Sequence, residues 1–83
     1  MPDIRVIRRL GSTPRERGSA SEMTCPDIFE LANGDFAVIG TDVTGNADFM
    51  ASLPADAGVA EYERVVVVSR ATLLHARPDI PHS

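Results

Sequence analysis

Asn33-Gly34 stands between two apolar runs, Ile28-Phe29-Glu30-Leu31 and Phe36-Ala37-Val38-Ile39, and constrains the fold more than any other feature of the chain. Both residues tolerate positive φ, and a two-residue type I′ turn matches the right-handed twist of paired strands. A β-hairpin is therefore expected. In its second strand Phe36, Val38 and Gly40 share one face and Ala37 and Ile39 the other. Both faces are apolar, which predicts a central strand covered on both sides.

The remaining elements follow from periodicity and punctuation. Ile4 to Leu10 has an imperfect period of two, with Ile4, Val6, Arg8 and Leu10 on one face and Arg5, Ile7 and Arg9 on the other, and reads as an edge strand. Residues 11–24 are rich in Gly, Ser, Thr, Pro, Arg and Glu without apolar periodicity and read as a flexible linker. Asn46 or Thr44 caps a short helix through Leu53, stopped by Pro54, with Phe49, Met50 and Leu53 on one side. Tyr62 to Val68, with four consecutive valines, reads as a strand buried between layers. Ser69 caps a helix over Arg70 to Arg77 that ends at Pro78. The expectation is an α+β fold: a small antiparallel sheet of three to four strands with two short helices. Residues 1–10 form the edge strand with a basic head, 11–24 the linker, 25–78 a single compact domain and 79–83 a tail.

A chain of 83 residues supports one core, since a domain this small buries only about 60% of its unfolded surface. Leaving valines wet is costly, because each fully buried Val side chain contributes roughly 1.5 kcal/mol or more. The valine run therefore needs a dry cover, from the chain's own helices and N-terminal strand or from a second copy.

The net charge of −4 hides a division. Five arginines against Asp3 and Glu16 leave residues 1–20 at +3, and three arginines against ten carboxylates leave residues 21–83 at −7. Nucleic-acid phosphate, an acidic protein, or the acidic body of the same or a neighbouring chain could absorb the basic head. Repulsion from the acidic body acts within a Debye length or two and disfavours the first. No apolar run approaches the roughly 18 residues of a membrane span. The N-terminus also lacks the basic segment and apolar core of a secretory signal, so a cytoplasmic chain without membrane contact is expected.

Chemistry-bearing residues are few. Cys25 has no second cysteine for a disulfide, and with His75 and His82 alone there are too few soft ligands for a closed zinc site. Cys25 and His75 are the one pair resembling a nucleophile and its base, and nothing in their spacing brings them together. Asp27, Glu30, Asp35, Asp42 and Asp48 match neither the paired carboxylates of glycosidic chemistry nor a calcium loop. Gly40-Thr41-Asp42-Val43-Thr44-Gly45 lacks the lysine of a phosphate loop. No catalytic residue, metal ligand or cofactor follows from the sequence.

Cys25 to Leu31, continued by Gly34 to Asp42, by Leu53-Pro54 and by Arg64 to Leu74, resembles a group of short uncharacterised proteins of high-GC actinobacteria. The resemblance covers most of residues 25–77 and implies a small intracellular accessory protein linked to regulation; it carries no catalytic residue. Arg64 to Leu74 is also similar to the strand-to-helix element of swapped-hairpin transcription regulators. The expected function is a non-enzymatic protein-interaction or regulatory accessory module, homodimeric and acidic. Arg5, Arg8 and Arg9 would be its electrostatic contacts, and Phe29, Phe49 and Tyr62 its apolar anchors. The alternative is a nucleic-acid-associated factor using the Arg-rich N-terminus, and a third class is a small enzyme or ligand-binding domain.

Overall fold

A computed structural model describes residues 2–18 and 25–82. The expected α+β fold is present. Strands β1 (Val6–Arg9), β2 (Asp27–Leu31) and β3 (Phe36–Ile39) form an antiparallel sheet in the order β1-β2-β3. Strands β4 (Thr41–Asp42) and β5 (Val66–Val67) form a separate two-stranded ribbon. Helix α1 (Ala47–Ser52) lies between β4 and β5, and helix α2 (Arg70–Ala76) is followed by a 3-10 turn at Arg77–Asp79.

Local chemistry accounts for the helices. The Asn46 side chain accepts the Phe49 N–H at 2.9 Å and starts α1. The Ser69 hydroxyl accepts the Thr72 N–H at 3.2 Å and starts α2. Helix α2 presents Thr72 and Ala76, four residues apart, to the sheet. Ala76 meets Leu10 and Ile28 in the buried cluster, and Leu31 is buried on β2.

Four expectations need correction. The hairpin loop is one residue longer than a type I′ turn. Gly34 N–H donates to the Leu31 C=O at 3.0 Å and Leu31 N–H to the Asp35 C=O at 2.8 Å, so Ala32 and Asn33 are the central residues. Gly34 follows them at φ 94°, where the missing Cβ removes the steric cost.

The second correction concerns β3, which is an edge strand. The N-terminal strand pairs with β2, leaving Phe36, Val38 and Ile39 exposed on β3. Third, the valines do not enter the main sheet. Only Val66 and Val67 are in a strand, β4 is their partner, and Val67 is 52% exposed. Their covering is thus incomplete. Fourth, β1 is the expected edge strand, but Val6 and Arg8 do not share a face as expected, because its register shifts between them. Val6 opposes Leu31 while Arg8 opposes Glu30, so Val6 and Arg8 face opposite sides of the sheet.

Residues 11–18, the described part of the segment that composition reads as a linker, turn back on the fold. Thr13 N–H donates to the Glu16 carboxylate at 2.7 Å and Glu16 N–H to the Thr13 hydroxyl at 3.1 Å, a reciprocal capping box with Pro14 at the first position of the turn. The rest of that segment, residues 19–24, lies outside the described residues.

Candidate interaction surface

The capping box places Arg17 where its side chain is only 3% exposed. Its guanidinium donates to the backbone carbonyls of Ser12 and Pro26 and lies 3.9 Å from the Asp27 carboxylate. Asp27, at the start of β2, is itself buried. Arg9 reaches the same carboxylate from β1, with Nε at 3.1 Å and Nη2 at 3.0 Å. One buried anion thus ties together β1, β2 and the returning segment. Burying a carboxylate is tolerable because two cations and good geometry offset its desolvation.

Arg8 and Arg5 are also engaged within the chain. Arg8 donates to Glu30 at 2.7 Å and to the Asp79 carbonyl at 2.6 Å, joining the sheet to the turn after α2. Asp79 in turn accepts the Gly11 N–H at 2.6 Å. Arg5 pairs with its neighbour Asp3 at 2.7 Å, and that contact holds the Asp3 carboxyl below the usual carboxylate range. Of the outlets open to the basic head, the acidic body of the same chain receives Arg8 and Arg9.

The aromatic residues are spread rather than gathered. Phe29 is half-buried on β2 with the Arg9 guanidinium 5.3 Å above its ring. Phe49 is half-buried on α1, and Tyr62 is 88% exposed in the loop before β5. No single site unites the six expected contact residues.

Sequence reasoning missed three parts of this surface. Asp27 and Arg17 are one, and their signal was the Thr13-Pro14-Arg15-Glu16 pattern. The uncharged free edge of β3 is another. The third is Leu73 and Leu74 on the outer side of α2, both exposed.

Other chemistry is sparse. Ser12 Oγ lies 2.6 Å from His75 Nδ1, a hydroxyl beside an imidazole, but the described residues enclose no cavity in which a substrate could meet it. Among the described residues no three His, Cys, Asp or Glu side chains are grouped to hold a metal ion, and no helix is long and apolar enough to cross a membrane. Comparison with protein-family models, with curated proteins and with solved structures finds no match to this chain.

Proposed function

We propose that the chain is a small acidic interaction module, a non-enzymatic cytoplasmic accessory protein that works by binding protein, including copies of itself. The carrying observation is the imbalance between core and apolar surface. Among the described residues thirteen large apolar side chains are exposed, whereas the buried apolar residues are Leu10, Ile28, Leu31 and Ala76. The accessible surface is 6287 Å², against about 4,800 Å² for a compact monomer of this mass. The excess, on the order of 1,500 Å², exceeds the roughly 800 Å² that each partner contributes to a standard interface.

The nucleic-acid alternative draws its affinity from phosphate contacts by free cations. Here Arg5, Arg8 and Arg9 each have a carboxylate of their own chain as partner, and the body beyond residue 20 is acidic. Affinity purification of the tagged full chain from its host, with nuclease and high-salt arms, separates the two. The interaction reading expects a stoichiometric polypeptide, a second copy or a different chain, that survives both washes. Recovery of the chain alone, or with nucleic acid that salt elutes, overturns it.

A further inference from the structure

We propose that the free edge of β3 pairs antiparallel with β3 of a second copy, closing a two-fold dimer around a continuous six-stranded sheet. This rests on the interaction reading and names the partner and the contact. Leu10 N–H donates to the Ile28 carbonyl at 2.9 Å, and Leu31 N–H to the Asp35 carbonyl at 2.8 Å. Even-numbered residues of β2 therefore turn their backbone groups toward β1 and odd-numbered ones toward β3. Phe29 opposes Ala37 and Asp27 opposes Ile39, so Ala37 and Ile39 bond inward. The N–H and C=O groups of Phe36 and Val38 point outward, along an edge that no strand among the described residues occupies.

The two edges of the sheet differ in protection. β1 carries Arg8 and Arg9 and a register irregularity, features that discourage pairing with other chains. β3 reads Phe-Ala-Val-Ile, with no charge and no proline. Antiparallel pairing of this strand with itself is self-complementary. Phe36 would oppose the second copy's Val38, Val38 would oppose its Phe36, and Ala37 would sit on the axis opposite its own counterpart. With Ala37 on the axis Asp35 faces the second copy's Ile39; a slide of two residues one way would set Asp35 against Thr41, next to Asp42, and the other way would set Val38 against Gly34 in the hairpin loop. Both β1 edges remain outermost, so assembly stops at two copies.

Ala37 on the axis is a non-hydrogen-bonded pair, with Cα atoms about 4.5 Å apart, within the span a disulfide bridges. The test is an Ala37→Cys chain, carrying Cys25→Ser, under mild oxidation. A cross-linked dimer is expected, formed in near-complete yield at high concentration. Val38→Pro removes an N–H that points away from β2, so it should leave the fold's circular dichroism unchanged while abolishing both cross-link and dimer. Phe36→Lys provides the same block through charge. A wild-type chain that is dimeric while Ala37→Cys fails to cross-link and Val38→Pro keeps the dimer overturns the β3 pairing and leaves the interaction reading intact. A monomer that retains a different polypeptide has the same consequence. A monomer that retains nothing overturns both.

Discussion

Asp27 is the residue on which the most separate parts of the chain converge, since it meets Arg9 from β1 and Arg17 from the returning turn while lying buried at the head of β2. Removing one member of a buried ion cluster strands the others, which costs about 3–5 kcal/mol. Asp27→Asn is accordingly expected to lower unfolding stability by about 3 kcal/mol in urea denaturation; a loss within experimental error of zero would show that the cluster contributes nothing. Acid sensitivity is read at Asp42. Its carboxyl is held below the usual range by Thr44, through the hydroxyl and then the N–H, whose bond to Asp42 is 2.9 Å. A carboxylate with a lowered folded-state pKa adds stability that is complete above its unfolded value, about 3.9, and disappears as pH falls through the folded value. Asp42→Asn should therefore flatten the loss of stability on acidification below about pH 4, measured by denaturation at a series of pH values. An unchanged acid slope would contradict it. At this scale the sequence was only partly legible. The T-x-x-E pattern at Thr13 to Glu16 carried the turn, but burial of Arg17 depends on Asp27 arriving from further along the chain, at the head of β2, which no local pattern encodes.

Elements were legible where a side chain closes its own bond. Asn46 and Ser69 cap the helices within three residues of themselves. The hairpin was legible as well, except for one residue in its loop: Asn-Gly serves a two-residue turn or a three-residue turn ending in glycine, and dipeptide composition does not separate them. The errors concern which elements meet. Apolar character on both faces of β3 suggested a covered central strand, but centrality depends on where β1 pairs, and β1 returned to β2. Four valines suggested a buried strand, yet only two enter a ladder, with β4. That ribbon depends on Gly40, where a Cβ would lie 2.4 Å from the Val67 carbonyl oxygen. Gly40→Ala must push β5 aside and is expected to cost about 1–3 kcal/mol, read as a lower midpoint in thermal or urea unfolding. Wild-type stability in that variant would show that β5 does not hold this position.

The molecule as a whole is open for its length. Its Cα radius of gyration is 14.2 Å, against about 12 Å for a compact domain of this size, and its extents are 35 × 34 × 22 Å. A slab of this kind has one small buried cluster and a broad apolar surface, which is the condition in which association supplies missing burial. The valines and the chain's length raised the expectation of a cover; the free edge of β3 could not be read from them, because it depends on the strand order β1-β2-β3. Sedimentation equilibrium of the untagged full chain over a concentration series addresses self-association most directly. The expected mass climbs from 8.9 kDa toward twice that value, and the same series with Val38→Pro stays at the single-chain mass. A wild-type mass of 8.9 kDa at every concentration, unchanged by that substitution, would contradict self-association through β3.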